Sequence, residues 1–306
     1  MKRIILLAIN MLFLASCASQ TQTAPTEIPT LIPTALPQPT EVDLESLPTE
    51  MVLIPAGAFT MGSDQETALS ECEKYFSGCN RDEWYLNESP VHEVTLNDFY
   101  MDMYEVTNGQ YQECVAAGNC TPPRRNSSAT RSAYYDNPEF AEYPVIWVDW
   151  DQAQAYCEWR GARLPTEAEW EKAARGTDAR LYPWGNTFES GEGNFCDTNC
   201  KEPWANKNFD DGYADTSPVG SFTSGVSPYR LHDMGGNVNE WVADWYGADY
   251  YATSLLVNPH GPETGFRRSM RGGSFHTPAQ GLRTTARPLS DTSGDYIGFR
   301  CAVSVE

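Results

Sequence analysis

The sequence predicts an α+β domain that is poor in regular structure and stapled by disulfides. Three observations carry this. Helix signals are confined to the stretch between Thr107 and Gly176, with strand patterns before and after it. Beyond Gly176 the chain turns to Gly, Asn, Asp and aromatic residues with only short apolar runs. Eight cysteines besides Cys17 make an even number, which suits an oxidising compartment.

Taken in order, Met51 to Gly62 reads as a strand, a Pro-Ala-Gly turn and a second strand. Val91 to Tyr100 alternates, with Val94 and Leu96 set against Glu93, Thr95 and Asn97, as a half-buried strand does. Thr107 caps a helix that ends near Gly118, and a second helix runs from about Asp149 to Arg160. Thr166-Glu-Ala-Glu169 follows Pro165 with capping-box spacing and starts a third. Short strands are expected at Glu240 to Tyr246, Ser269 to Phe275 and Ile297 to Val305. The nine Trp and 16 Tyr are read as anchors for the irregular loops between these elements.

Residues 1–17 have the form of an export signal. Lys2 and Arg3 precede an apolar run from Ile4 to Phe13, shorter than the span of about 20 residues that a transmembrane helix needs. Residues 18–49 are rich in Pro and Thr, a composition that stays extended and solvated and suits a tether. One domain is expected over 50–306. The chain carries 21 Lys+Arg against 42 Asp+Glu, a net charge of -21. That balance excludes nucleic-acid binding, which requires a basic surface, and leaves no attraction to anionic lipid beyond an attached lipid itself.

Cys72 and Cys79, Cys114 and Cys120, and Cys196 and Cys200 are close enough in sequence to close small loops, which leaves Cys157 and Cys301 far apart. A copper site at Cys196 and Cys200 is not expected, because two thiols without a third soft ligand are a weak signal. No catalytic constellation stands out. His92, His232, His260 and His276 lack metal-ligand spacing, and Ser274 sits beside Gly272 and Gly273 as a turn residue without a Gly-x-Ser-x-Gly elbow. Asp233-Met-Gly-Gly-Asn-Val-Asn-Glu240 offers two carboxylates bracketing flexible glycines, a pattern suited to the oxygen-rich shell of calcium.

Eight segments resemble, in register, the formylglycine-generating enzyme or sulfatase-modifying factor family. They are Pro90–Leu96, Tyr104–Asn108, Tyr143–Val148, Arg163–Glu171, Tyr182–Asn186, Gly235–Trp241, Arg271–Phe275 and Gly298–Cys301. Leu14-Ala-Ser-Cys17 is similar to a bacterial lipobox, which implies a lipidated Cys17, a membrane anchor and an extracytoplasmic place, periplasmic or cell-surface. The family resemblance implies a variant of the C-type lectin-like fold and a Cys157–Cys301 disulfide. It also implies one calcium site at Asp233, Gly236, Val238 and Glu240 and a second at Asn194, Phe195, Asp211 and Tyr213.

Active family members carry a reactive cysteine pair between the last two motifs. Here that frame reads His276-Thr-Pro-Ala-Gln-Gly-Leu-Arg283, and no cysteine lies between Arg271 and Arg300. The expectation is therefore a calcium-stabilised binding module for a protein or glycan, with Thr277, Gln280, Arg283 and Arg287 among the polar residues facing the ligand. The alternative is a formylglycine-generating oxidase acting on exported sulfatases. An iron-dependent relative would need further histidine ligands that the chain does not present.

Overall fold

The computed structural model describes residues 50–75, 79, 86–189 and 191–305. Cys17 and the 1–17 and 18–49 segments lie outside the described residues. Among the described residues no helix is long and apolar enough to cross a membrane.

Three helices follow local capping chemistry. Thr107, Asp149 and Thr166 each accept a bond from the backbone N–H three residues on, and Gln110, Gln152 and Glu169 return the bond. These boxes satisfy donors that a bare helix end leaves unpaired, so they set the starts of α2 (Asn108–Ala116), α3 (Trp150–Trp159) and α4 (Glu167–Arg175). A fourth helix, α1 (Gln65–Tyr75), was not expected from sequence. Its polar stretch has little apolar periodicity, and its start rests on Asp64, which accepts from Thr67 N at 2.9 Å and Thr67 Oγ1 at 2.6 Å.

The strands form three sheets. In one, β1 (Met51–Ile54) pairs with β4 (Phe99–Asp102), which pairs with β9 (Ala302–Ser304). In another, β2 (Gly57–Met61) pairs with β3 (His92–Leu96). In the third, β5 (Asn239–Trp245) lies antiparallel to β6 (Arg268–Arg271) and parallel to β8 (Ile297–Gly298), with β7 (Leu289–Ser290) on the outer edge of β6. The single strands expected over 91–100 and 297–305 are each split. Asn97-Asp98 hands the chain from the second sheet to the first, and Phe299–Cys301 does the same from the third sheet to the first. The strand expected over 269–275 stops at Arg271, because Gly272 (φ 94°) and Gly273 (φ 75°) enter the left-handed region.

Two apolar clusters hold these layers together. Trp170 of α4 packs with Ile54, Phe59, Val94, Phe99 and Val242. Trp241 of β5 packs with Tyr111, Tyr156, Ile297 and Phe299 around the Cys157–Cys301 bridge. All four expected disulfides are present: Cys72–Cys79, Cys114–Cys120, Cys157–Cys301 and Cys196–Cys200.

Candidate functional site

The frame begins where β6 ends. Ser274 donates its N–H to Thr277 Oγ1 at 2.9 Å and accepts from Thr277 N at 2.8 Å, so it is the turn residue the glycines suggested. A Cβ on Gly273 would fall 2.6 Å from Leu282, so the turn packs too closely for a side chain there. Beneath it lies Arg271, fully buried, donating to Glu171 Oε2 at 2.6 Å and Glu167 Oε1 at 3.3 Å.

This charged floor changes the reading of the frame. Arg287 donates through Nε and Nη2 to both oxygens of Glu167, at 2.7 and 2.9 Å. Arg283 clasps both oxygens of Glu88 at 2.6 and 2.7 Å. Their exposures are 4 % and 2 %, and Gln280 is 6 % exposed. These three expected ligand contacts therefore face inward, because each arginine finds a buried carboxylate from a distant part of the chain. Burial opposes the charge of Glu167, but Arg287 and Arg271 outweigh it and hold the carboxyl below its ordinary range. Thr277 stays half-buried at the rim, its hydroxyl bound into the turn and its carbonyl accepting from Cys196 N at 2.9 Å.

Aromatic rings stand at the rim of the frame, alongside the exposed Asp291 and Thr292. His276 lies against Tyr296, with ring centroids 5.8 Å apart and planes at 84°, and Trp204 donates its indole N–H to His276 O at 2.9 Å. Trp204 is 39 % and Tyr296 36 % exposed. Sequence reasoning did not single out Trp204, which is 72 residues from His276 in the chain. The other histidines stay apart: His92 meets Tyr251 edge-on, His232 lies tilted against Tyr104, and His260 stands 3.9 Å from Glu263.

The two calcium sets differ in how well they fit a cation. Glu240 is fully buried and its oxygens accept Arg300 Nε, Arg300 Nη2 and the indole of Trp170 at 2.7, 2.7 and 2.8 Å. Glu240 is thus held by a guanidinium and an indole in addition to any role it has toward a cation. Asp233 instead accepts from Gly220 N at 2.6 Å, and burial pushes its carboxyl up to about 6. Val238 donates its N–H to Glu105, a buried carboxyl that burial, Asp233 and Glu240 all push up. Gly236 is there for closeness, since a Cβ would fall 2.4 Å from Asn194 O.

The second set fits better. Asn194 is fully buried, its amide nitrogen donates to Asp215 O at 2.9 Å, and its Oδ1 has no partner. Asp211 accepts from Phe195 N at 2.9 Å and Tyr213 N at 2.8 Å, and burial pushes its carboxyl up to about 7. An unpartnered buried oxygen, with a carboxylate bound to the backbone of the next residue, is a pair of groups that a hard cation can satisfy. Among the described residues no group of three or more His, Cys, Asp or Glu is placed to share a metal, so such a site would draw on amide and carbonyl oxygens as well.

Residues 37–305 match the family described as the Sulfatase-modifying factor enzyme 1-like domain. The chain is 34 % identical to the formylglycine-generating enzyme of Thermomonospora curvata over 296 residues, covering 82 % of this chain and 92 % of that protein. It is 33 % identical to inactive C-alpha-formylglycine-generating enzyme 2 of Bos taurus, covering 82 % of this chain and 87 % of that one. The solved structure of PvdO from Pseudomonas aeruginosa superposes with a TM-score of 0.63 at 27 % identity, covering 84 % and 94 % of the two chains. The neighbours carry the fold inferred from the motifs, and this chain belongs to the sulfatase-modifying factor family.

Proposed function

We propose that this chain is an exported, lipid-anchored binding module on the sulfatase-modifying scaffold, and that its frame docks a basic polypeptide segment. The observation that carries this is the composition of the frame itself. No thiol lies between Arg271 and Arg300, Cys301 is bridged to Cys157, and the exposed rings of Trp204 and Tyr296 flank the half-buried His276. Oxidising a substrate cysteine at this place requires a thiolate that can bind and activate a metal, and the frame supplies none.

Basic character in the partner follows from charge and rings. A net charge of -21 steers cations toward the surface. Elsewhere the fold stacks its own arginines on aromatics, as with Arg125 over Trp147 at 4.5 Å and Arg287 over Tyr251 at 4.0 Å. Trp204 and Tyr296 are 39 % and 36 % exposed, and a guanidinium from outside stacked on either ring would be worth about 0.5–2 kcal/mol. Calcium at Asn194 and Asp211, with the carbonyls of Phe195 and Tyr213, stabilises the loop that carries Trp204.

Two measurements test this reading. Fluorescence titration with a hexa-arginine peptide should show saturable binding that weakens in Trp204→Ala and Tyr296→Ala, while hexa-glutamate and maltohexaose do not bind. Binding of maltohexaose alone would replace the peptide with a glycan. Incubation with Cu(I), oxygen and a Cys-x-Pro-x-Arg peptide should leave the peptide mass unchanged, and formation of formylglycine would overturn the non-catalytic assignment.

A further inference from the structure

Of the four disulfides, Cys196–Cys200 is set apart by its place. Cys72, Cys114 and Cys157 each anchor their bridge in α1, α2 or α3, whereas Cys196 and Cys200 both lie in an irregular loop. That loop is fastened to the frame: Cys196 N donates to Thr277 O, and Trp204 Nε1 donates to His276 O, both at 2.9 Å. The sulfurs missing from inside the frame thus have a counterpart pressed against it from outside.

Its surroundings favour exchange. The bridge spans a separation of only four residues, and a short loop gains least from closure in the chain-entropy view of disulfide stability. Lys207 Nζ donates to the carbonyl of Cys200 at 2.8 Å and of Thr198 at 3.3 Å, which holds a cation near Cys200 that attracts an approaching thiolate. The carboxylate of Asp197, between the two cysteines, is occupied by the amides of Asn199 and Asp211. Cys200 keeps 9 % exposure and Cys196 none, so Cys200 is the half of the bridge nearer to solvent.

The geometry points to a thiol–disulfide exchange site, in which cysteines of a partner docked at His276–Thr277 react with Cys196–Cys200. This rests on the frame being a docking face. A partner thiolate attacks Cys200 Sγ, forms a mixed disulfide and releases Cys196 as thiolate. A second partner thiolate attacks the partner sulfur of that mixed disulfide, closes a disulfide within the partner and releases Cys200 as thiolate. Two electrons pass from the partner to the Cys196–Cys200 pair. The two thiol protons of the partner end on Cys196 and Cys200 through solvent, and the bridge itself is the oxidant.

Cys114–Cys120 is the internal control, because its separation of six residues is similar and Cys120 is also 9 % exposed. The full-length protein is equilibrated in glutathione buffers of rising reducing power, quenched by alkylation, and read cysteine by cysteine with mass spectrometry. Cys196–Cys200 should open at a reducing ratio at least about tenfold lower than Cys114–Cys120, roughly 30 mV for a two-electron couple, with the glutathione adduct on Cys200. Lys207→Ala should slow adduct formation and Lys207→Arg restore it. Opening together with or after Cys114–Cys120, or an adduct confined to Cys196, would overturn the proposal. No partner enters this measurement, so its failure is distinct from failure of the docking reading, which the hexa-arginine titration decides separately.

Discussion

Arg300 and Glu240 form a fully buried ion pair, with Nε to Oε2 and Nη2 to Oε1 both at 2.7 Å. The same guanidinium donates to the carbonyls of Asp102, Met103 and His232, so one side chain ties the turn after β8 to the segment after β4 and to the loop before β5. Removing one partner leaves the other charge buried without compensation. Arg300→Met should therefore destabilise by about 3–5 kcal/mol. The double variant Arg300→Met/Glu240→Met should recover part of that loss, and urea denaturation of the three proteins measures both effects.

The arginines beneath the frame should behave as structural groups. Arg283→Ala leaves Glu88 buried without its guanidinium and should cost about 3–5 kcal/mol of stability, whereas Arg287→Ala leaves Glu167 with Arg271 alone, at 3.3 Å, and should cost less. Trp204→Ala, at an exposed ring, should leave the melting temperature nearly unchanged. Calorimetry on the three variants checks this. A normal melting temperature with lost ligand binding in Arg287→Ala would show that this side chain faces a ligand after all.

Stability should depend on pH through two neighbouring carboxyls with opposite signs. Burial, and then the charge of Glu167, push Asp244 well above its ordinary range. A raised folded-state value stabilises at low pH, and that contribution is lost as pH rises past the unfolded value toward the folded one. Glu167 is held low, so its contribution is present above its unfolded value near 4.5 and is lost on acidification. The outcome expected from this pair is a stability maximum in the acidic range, about where free carboxylates titrate. Asp244→Asn keeps the acceptor for Glu167 N, at 2.8 Å, and should flatten the alkaline limb in a series of melts across pH.

Calcium removal tests the site at Asn194 and Asp211. A ligand at about 100 times its dissociation constant stabilises by about 2.7 kcal/mol. Treatment with EGTA should therefore lower the melting temperature by roughly 5–10 °C in a domain of this size. Asn194→Ala should remove the response, whereas Glu240→Gln should retain it even though the fold is weakened. An unchanged melt in EGTA would dismiss the site.

The parts of this molecule that were legible beforehand are those fixed by short-range chemistry. Thr107, Asp149 and Thr166 marked helix starts correctly because a capping box is closed within three residues. The three local disulfides were suggested by spacing alone, and Ser274 was placed in a turn by its two glycine neighbours. The misplaced residues share a different character. Arg283 and Arg287 looked like surface groups because an isolated charge belongs in water, yet their partners lie 195 and 120 residues away. The partner of Glu240 is likewise distant, since Arg300 lies 60 residues on. Trp204 carried no mark in the chain to separate it from the buried tryptophans.

By itself, then, the sequence determined the family, the helix starts and the absence of sulfur between Arg271 and Arg300, because motifs, caps and composition are local properties of the chain. Only the tertiary structure decided which face of the frame is inside. It turned Gln280, Arg283 and Arg287 onto a buried floor, left Trp204, His276 and Tyr296 at the surface, and set Cys196–Cys200 against the rim. The reason is energetic: a charge enters the interior only where the folded chain brings it a counter-charge, and that encounter depends on packing between residues far apart in sequence.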